Sequence, residues 1–522
     1  MALRLLSFLD QKLFALLDRG SRHPGKVIVG IGFTAFLGCA LVAAISGVRA
    51  PAVHDEFAYL LQADTFASGR VTNPTHPLWQ HFWTFHVIHE PTYTGKYPPG
   101  QGLFLAIGQI LGHPILGVWL SVGLMCGAIT WMLLAWLPAR WAILGGALAS
   151  VQFGLISYWA QSYWGGAVAA LGGALVFGAV RRLLMAPRAR DGILLSIGLL
   201  LLANSRPFEG FLVSIPAAVL LVNGLIRGRV SRSGLLHGLA LTPLLLALGG
   251  SAMAYYNWRT TGSPFRTPYQ EYASQYSVVP SLMFQELPDI SDNVQLPIPE
   301  LEAYNERYVL PRYEAFGQPV PFTFRVVHAV SRNLAYHLGS GLIALVTLRR
   351  LLRQRWMLLA FLVSFSLILV SSIYTAGRPH YIAPATCLLM VVWLGCLMLL
   401  YDFEPPKSRR LVVGIILLFF PFQLLLRDSP HRQHFARNRT AVLQRLEQEK
   451  GTQLVIVHYG PGHSFPNEWI HNRADIDAAK VVWARDLGPK NQELINYFSD
   501  RRVWLLNVDG RSEIPRRWGW AP

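Results

Sequence analysis

About eleven stretches of mostly apolar residues follow one another along this chain, separated by polar segments. A helix needs about 20 such residues to cross a bilayer, and most of the stretches approach that length. Only 14% of the 522 residues are charged, whereas a soluble domain has about 25%. The sequence therefore predicts a polytopic α-helical membrane protein. Its expected transmembrane helices are 27–48, 115–137, 140–158, 163–181, 191–205, 208–226, 235–257, 337–349, 356–376, 381–402 and 410–427.

Lysine and arginine residues cluster between these spans in a pattern that predicts the orientation of the chain. Basic residues are enriched in the cytoplasmic loops of membrane proteins. Under an eleven-span topology the clusters all fall on one side, within 1–26, at Arg140, and within 181–190, 227–232, 349–355 and 407–410. We therefore expect a multi-pass protein of the cell inner (plasma) membrane with a cytoplasmic N-terminus. The formal net charge of +17 follows from these clusters and does not indicate nucleic-acid binding.

Three regions are predicted along the chain. Residues 1–26 place leucine and phenylalanine at helical spacing among charges, which indicates a cytoplasmic interfacial helix. Residues 27–429 form the transmembrane core with outer loops 49–114 and 258–336; within the first loop, the run QGLFLAIGQILG is too short to cross and predicts a helix on the membrane surface. Residues 430–522 alternate strand-like and helical runs, which predicts a small extracytoplasmic α/β domain.

The cysteines indicate neither disulfides nor a metal site. Cys39, Cys126, Cys387 and Cys396 all lie within apolar spans, so we expect small buried residues. Metal ligands could come instead from the histidines and acids of the first outer loop, although their spacing is not diagnostic. We expect no cofactor, with a divalent metal as the alternative.

Four clusters of ionisable residues lie where apolar spans meet the outer face. They are His54 with Asp55 and Glu56, then Lys96, then Arg206 with Glu209, and then Arg378 with His380. Taken singly, each cluster has a local explanation: a basic side chain at a helix end extends to the lipid headgroups, or proline and glycine form a turn. Together they indicate more, because Arg206 and Arg378 lie on the side that the charge rule disfavours. Arginines at these disfavoured positions indicate that the site binds an anion.

The chemistry of these groups fits transfer from a lipid-borne phosphate. Lysine and arginine can neutralise a departing phosphate, and a carboxylate can accept the proton of an attacking hydroxyl. A lipid carrier is the substrate that brings a phosphate to this depth.

The motifs resemble those of the GT-C superfamily of integral-membrane glycosyltransferases, especially protein O-mannosyltransferases and lipid A aminoarabinose transferases. The shared features are the acidic pair Asp55–Glu56 after the first span, Lys96 before two prolines, and Arg378 before a late span. The resemblance covers about residues 27–427 and implies sugar transfer from a polyprenyl-phosphate donor to a hydroxyl of a glycan, lipid or protein acceptor.

The resemblance also implies residue roles. Asp55 is the expected base with Glu56 beside it, and Lys96 and Arg378 hold the donor phosphate. Arg206, Glu209 and His380 are assigned to the same site from position alone. A single displacement would invert the anomeric centre. In this chain Tyr97 stands between the lysine and the two prolines, unlike the lysine-proline-proline of the relatives.

Further residues near these clusters are predicted to bind substrate, namely His54, His89, Glu90, Tyr97, Tyr163 and Trp164. For Tyr158, Trp159, Tyr163 and Trp164 an interfacial aromatic belt is the favoured interpretation, with sugar stacking as the alternative. For the polar segment 458–477 two interpretations remain, a loop that caps the C-terminal sheet and a site that binds an acceptor glycan.

Three other functions remain open from sequence. A transporter of lipid-linked glycans would need charges near mid-membrane and repeat symmetry, and neither is visible. A ligase or polymerase of the O-antigen type would share the large outer loop and the arginines. A non-catalytic assembly subunit would act through its C-terminal domain.

Overall fold

The computed structural model describes residues 2–280, 285–287, 299–315, 318–374, 378–403, 405–425, 431–460, 463, 467–508 and 514–518. Within this part of the chain, nine helices are long and apolar enough to cross a membrane. They are Pro24–Ser46, Pro114–Trp136, Ala139–Ile156, Ala167–Met185, Pro207–Ile226, Arg232–Thr261, Arg355–Ser372, Ala383–Tyr401 and Lys407–Leu425. The chain is therefore a multi-pass α-helical membrane protein, as predicted.

The predicted count of eleven spans is not confirmed. The two predicted spans without a counterpart are the shortest ones. Residues 191–205 fall in a helix of 15 residues, Ala189–Ala203, and 337–349 falls mainly in a 3₁₀ segment, Gly339–Thr347. At 1.5 Å per residue the first is about 22 Å long, short of the roughly 30 Å hydrocarbon core.

The α-helices, in chain order, are α1 Ala2–Ser21, α2 Pro24–Ser46, α3 His54–Ala67, α4 Pro99–Ile110, α5 Pro114–Trp136, α6 Ala139–Val151, α7 Ala167–Met185, α8 Ala189–Ala203, α9 Pro207–Ile226, α10 Arg232–Gly238, α11 Thr242–Thr261, α12 Pro268–Tyr276, α13 Pro299–Tyr304, α14 Leu310–Glu314, α15 Pro319–Leu338, α16 Leu348–Leu351, α17 Arg355–Tyr374, α18 Thr386–Tyr401, α19 Lys407–Leu425, α20 His431–Gln448 and α21 Asn491–Tyr497. The strands are β1 Asn73–Pro74, β2 Val87–Ile88, β3 Thr92–Gly95, β4 Gln453–His458, β5 Val481–Arg485, β6 Arg502–Asn507 and β7 Arg516–Arg517.

One end of the helical bundle collects basic residues from segments far apart in the chain. Helix α1 packs against α6 and α19. The guanidinium group of Arg140 lies 5.6 Å from the ring centre of Phe14, and Arg410 donates a hydrogen bond to Ser7 at 3.0 Å. The amphipathic N-terminal helix predicted from its leucine and phenylalanine spacing is thus formed, and it lies beside the basic clusters. All four cysteines are buried and unpaired, as predicted.

At the other end, the two long loops that the sequence predicts to be outer loops pack on each other. Strands β1 and β2 pair with β3 in a small antiparallel sheet, and α12 lies against β2. A separate apolar cluster joins Trp83, Phe85 and Ile88 of the first loop to Tyr272 and Tyr276 of α12. Helix α12 starts at a capping box, in which Thr267 accepts from the backbone N–H of Gln270 at 3.3 Å while the Gln270 side chain accepts from that of Thr267 at 2.9 Å.

The C-terminal residues form the predicted small α/β unit. Strand β4 lies between β5 and β6 and is parallel to both, in the sheet order β5-β4-β6-β7. Strands β4 and β5 are apolar and buried almost throughout, which is typical of parallel strands covered on both faces, whereas β6 alternates buried and more exposed residues. Phe435, Val442 and Leu446 of α20 pack into the core beside Trp469 and Trp483.

The described residues of segment 458–477 connect this unit to the rest of the protein, and its role as a capping loop or as an acceptor-glycan site stays a prediction. Glu468 is buried and forms an ion pair with Arg485 at 2.8 Å. The ring of His471 stacks on Phe57 of α3 with centroids 3.5 Å apart. Arg473 contacts Asp64 of α3 at 3.1 Å. The C-terminal unit is therefore docked directly on the helix that carries Asp55.

Candidate active site

Helix α3 follows the first span after a linker of seven residues, 47–53, and presents its acidic residues in the first turn. An acidic first turn is favoured by the helix dipole. Asp55, Tyr59 and Gln62 follow at intervals of four and three residues, so they lie on one face of α3. All three contact Tyr97: Asp55 accepts its hydroxyl hydrogen bond, Tyr59 stacks on its ring at 4.5 Å, and Gln62 donates to its carbonyl oxygen at 2.6 Å.

Asp55 is half-buried among groups that stabilise its ionised form. Burial alone would raise the pKa of its carboxyl group. The interactions with His86, Tyr97, His54 and Lys96 outweigh that effect and hold the pKa below its usual range. Asp55 is therefore a carboxylate at neutral pH, which is the form that can accept a proton.

Lys96 lies beside Asp55 within a cage of tyrosine rings. Its ammonium nitrogen is 4.3 Å from the ring centre of Tyr272 and 6.0 Å from that of Tyr269. Its backbone N–H donates to the carbonyl oxygen of His86 at 3.0 Å, and His86 adopts a left-handed conformation with φ 65°. Burial lowers the pKa of Lys96 to about 8, and the charge of Asp55 opposes that change.

Arg206 reaches the same region from the turn between α8 and α9. The backbone N–H of Gly100, at the start of α4, donates to the carbonyl oxygen of Asn204 in this turn at 2.7 Å. A Cβ atom at position 100 would lie 2.5 Å from that oxygen, so the close approach requires glycine. The Arg206 guanidinium lies 4.5 Å from the ring centre of Tyr381, and buried Glu209 interacts with it electrostatically.

Arg378 and His380 approach from the segment before α18. The guanidinium group of Arg378 is 5.7 Å from the ring centre of Trp164. The buried imidazole of His380 is hydrogen-bonded to the Tyr158 hydroxyl at 2.7 Å and packs on Trp164 at 4.5 Å. Burial, with Arg206 and Arg378 nearby, lowers the pKa of His380 well below its ordinary value, so His380 is neutral at pH 7.

Tyr381 links the predicted clusters. Arg206, Asp55, Glu209 and Arg378 all act electrostatically on its hydroxyl group. Arg206 and Glu209 also act electrostatically on the hydroxyl groups of Tyr269 and Tyr59. The acid of α3, the arginine before α9 and the arginine before α18 therefore surround one group of tyrosines, with Lys96 at its edge.

The sequence interpretation missed most of these tyrosines, and it considered His86 only as one of several possible metal ligands in the first outer loop. Tyr59 carried a usable signal, since it lies one helical turn after Asp55. Tyr381 carried one too, since it directly follows the predicted His380, whereas Tyr269 and Tyr272 carried none, because their loop shows no pattern that connects it to α3.

Glu56 has a different environment from Asp55, although the two were predicted as a catalytic pair. Successive helical residues point about 100° apart, and Glu56 faces the segment before α7. Its carboxylate oxygens accept backbone N–H groups of Ala52 at 2.7 Å and Tyr163 at 3.0 Å. Glu56 thereby fixes the path of both segments, and Tyr163 joins this scaffold through its backbone.

The aromatic-belt interpretation of segment 158–164 is wrong for two of its four members. Trp159 is 0% exposed and Tyr163 is 3% exposed, so neither reaches the membrane interface. Tyr158 and Trp164 pack on His380 instead.

Two predicted substrate-binding residues lie apart from the tyrosine group. The buried ring of His89 packs between Trp79 and Tyr93, and the Tyr93 hydroxyl donates to Asn472 of the C-terminal unit at 3.3 Å. Glu90 is exposed. His54, by contrast, lies beside Phe85 and His86 and belongs to the surroundings of Asp55.

A cavity of about 700 Å³ opens next to this region, and Glu56, Trp164 and Arg378 are among its lining residues. Among the residues that the structure describes, no three histidine, cysteine or acidic side chains are grouped as a metal site would require. The expectation of a metal-free site stays a prediction.

The sequence matches no protein-family model and no curated protein. Among solved structures, the chain is similar to ArnT from Cupriavidus metallidurans bound to undecaprenyl phosphate, with 13% identity, a TM-score of 0.48 and coverage of 92% of both chains. It is also similar to the Archaeoglobus fulgidus oligosaccharyltransferase in complex with zinc and sulfate, with 11% identity, a TM-score of 0.49 and coverage of 92% of this chain and 67% of the other. Both are GT-C superfamily proteins, the group that the sequence motifs resemble. At these values the likeness does not establish a function.

Proposed function

We propose that this protein is a membrane glycosyltransferase that moves a sugar from a polyprenyl-phosphate donor to an acceptor hydroxyl. The observation that carries the proposal is the meeting of an ionised aspartate, Asp55, with Lys96, Arg206 and Arg378 around one group of tyrosines. A base and several phosphate-binding cations are the two components that such a transfer needs.

In the proposed reaction the acceptor oxygen attacks the anomeric carbon while the bond from that carbon to the phosphate oxygen breaks. Asp55 takes the acceptor proton, the sugar is transferred to the acceptor oxygen, and the carrier is released as a polyprenyl phosphate monoester. One in-line displacement inverts the anomeric configuration. Lys96, Arg206 and Arg378 balance the charge that develops on the departing phosphate.

The position of the arginines supports phosphate binding. Arg206 is the N-cap residue of α9, and Arg378 precedes a 3₁₀ turn at Pro379–Tyr381. A helix N-terminus already carries partial positive charge, so a cation is the less favoured residue there. At the N-terminus of α9 the Arg206 guanidinium therefore adds to the partial positive charge of the helix, and an anion would stabilise this arrangement.

We further propose that the tyrosine group lies on the outer face of the inner membrane. Arg140 and Arg410, which belong to two of the basic clusters, lie beside α1 at the opposite end of the bundle. If that end is cytoplasmic, as the charge rule predicts, Asp55 and the C-terminal unit lie outside.

Mass spectrometry of cell-envelope glycans from cells with and without the gene tests this function and identifies the sugar. We expect one glycan modification to depend on the gene. An Asp55→Asn variant should restore about 10²- to 10⁴-fold less of it, because the base is lost. Asp500→Asn, at an exposed aspartate of the C-terminal unit, is the matched control. Full complementation by Asp55→Asn would rule the mechanism out.

A further inference from the structure

The C-terminal unit contacts the first turn of α3 on the side opposite Asp55. Phe57 comes two residues after Asp55, so the two side chains point about 200° apart around the helix. The imidazole of His471 stacks on the Phe57 ring, with centroids 3.5 Å apart and planes inclined by 8°. The residue proposed as the base therefore lies on a helical turn whose other side is packed against the C-terminal unit.

A buried arginine of the C-terminal unit strengthens this contact. The guanidinium group of Arg439, in α20, lies 4.8 Å from the ring centre of Phe57. It also donates to the carbonyl oxygen atoms of Trp469 and His471, at 3.2 Å each. Arg439 is 7% exposed, so these contacts are shielded from solvent. Helix α20 and the segment that carries His471 are thereby held together on the Phe57 ring.

A backbone hydrogen bond joins the C-terminal unit to the same face of α3 two turns further along. Asp64 comes seven residues after Phe57, which places both side chains on one face of the helix. One carboxylate oxygen of Asp64 accepts the backbone N–H of Ala474 at 2.9 Å, and the other lies 3.1 Å from Arg473. The Ala474 amide loses this partner when the C-terminal unit leaves α3. Its hydrogen exchange therefore reports on the docking.

The surroundings of His471 favour its neutral form. Its Nε2 atom is buried and has no hydrogen-bond partner among the described residues, so a proton on this nitrogen would lack an acceptor. Glu468, three residues earlier, is paired with Arg485. Burial, together with basic and titratable groups from several elements, lowers the pKa of His471 well below its ordinary value. These groups are Arg439 of α20, His54 of α3, His86 of the first long loop and Arg485 at the end of β5.

Two other histidines at this interface differ from His471, because each faces an oxygen atom. The Nε2 atom of His76 lies 3.1 Å from the carboxylate of Asp477, and the Nδ1 atom of His81 lies 3.0 Å from the carbonyl oxygen of Arg485. A protonated imidazole can donate to either oxygen. Of these three histidines, His471 is therefore the one at which a positive charge is least compatible with docking.

We propose that His471 is a pH-sensitive positioning residue, whose neutral ring docks the C-terminal unit on the turn of α3 that carries Asp55. Protonation of the ring weakens the docking, and the turn then loses the packing on its other side. The proposal rests on the proposed function only for the role of Asp55, since the docking itself is independent of the reaction.

The direction and size of the effect follow from proton linkage. An undocked His471 has an ordinary pKa of about 6.5, and docking lowers it. The docking is therefore strongest above about pH 6.5 and weakens as the pH falls below that value. Between pH 7.5 and 5.5 the undocked histidine passes from about one tenth to about nine tenths protonated. If the docked ring stays neutral, the docking constant falls about tenfold over this interval.

Hydrogen–deuterium exchange of the full-length protein in phosphatidylcholine nanodiscs tests the proposal. The protection factor of the Ala474 amide, corrected for the intrinsic exchange rate, should fall about tenfold from pH 7.5 to 5.5. In His471→Phe, whose ring can stack but cannot be protonated, this fall should disappear. His471→Gln loses the stacking as well, so its protection should be lower but equally independent of pH. His237→Gln, at an exposed histidine of α10, is the matched control and should keep the tenfold fall.

Two results would overturn the proposal. One is a protection factor of the wild-type protein that does not change with pH. The other is the same tenfold fall in either substituted protein, since another group would then control the docking; one folded variant of the two decides the matter. The proposed function fails separately: full complementation by Asp55→Asn would remove the transfer mechanism and leave the pH dependence of Ala474 exchange as it is.

Discussion

The hydroxyl group of Tyr97 donates a hydrogen bond to the carboxylate of Asp55, 42 residues earlier in the chain. Tyr97 is the residue that separates Lys96 from the two prolines that follow. It therefore links the predicted base to the predicted phosphate-binding lysine. Tyr59 and Gln62, on the same face of α3, hold Tyr97 in this position.

Replacing Tyr97 by phenylalanine should change the pH dependence of transfer. A hydrogen bond to a charged group contributes about 1.5–3 kcal/mol, which corresponds to about one to two pKa units. Without it the pKa of Asp55 rises, so the acid limb of the pH–rate profile should move upward by about that amount. Tyr497→Phe removes a hydroxyl bound to Asp477 and should leave the limb in place. An unmoved limb in Tyr97→Phe would show that the bond does not tune the base.

The alkaline limb of the pH–rate profile should reflect the loss of the proton from Lys96. Since burial lowers its pKa to about 8, Lys96 is charged at pH 7 and becomes neutral as the pH rises through about 8. We expect kcat/KM to fall about tenfold per pH unit above that value, because the free enzyme loses a phosphate-binding charge. In Lys96→Arg the guanidinium stays charged, so the limb should disappear even if the rate is lower. Lys450→Arg, at an exposed lysine, should keep the limb.

Gly100→Ala should separate the segment of Lys96 from the turn of Arg206. The added Cβ would meet the carbonyl oxygen of Asn204 at 2.5 Å, and this oxygen belongs to the backbone and cannot rotate away. Displacements of about 1 Å can cost about 10²-fold in rate, so we expect a loss of 10- to 100-fold in kcat/KM. Gly250→Ala meets nothing within 4 Å and is the control. Wild-type rates in a folded Gly100→Ala protein would contradict this coupling.

Glu468→Ala should destabilise the C-terminal unit. Glu468 pairs with Arg485 at 2.8 Å in a buried position and also accepts from the Tyr459 hydroxyl. Removing one partner of a buried pair costs about 3–5 kcal/mol, because the other charge is left in a poorly solvated place. Denaturant unfolding followed by fluorescence of the buried Trp469 and Trp483 measures the change. The exposed Glu447→Ala is the control, and equal midpoints for the two variants would refute the expectation.

The site was partly predictable because some of its signals are local. Asp55, Arg206 and Arg378 each follow or precede an apolar span, and such a position can be read from sequence. The different environments of Asp55 and Glu56 could not be predicted from the sequence, because they depend on which residues contact the two faces of α3. The same holds for His89, whose ring packs between Trp79 and Tyr93 rather than beside Asp55.

The sequence alone determined that this is a multi-pass helical membrane protein with a small α/β unit at its C-terminus. These properties follow from the length of apolar runs and the alternation of short strands, both of which are local. The tertiary structure alone decided that Tyr381 lies among Arg206, Asp55 and Arg378, and that Arg437 of α20 lines the same cavity as Arg49. Such meetings depend on how helices pack and how loops fold over them, and that packing is set by contacts between residues hundreds of positions apart.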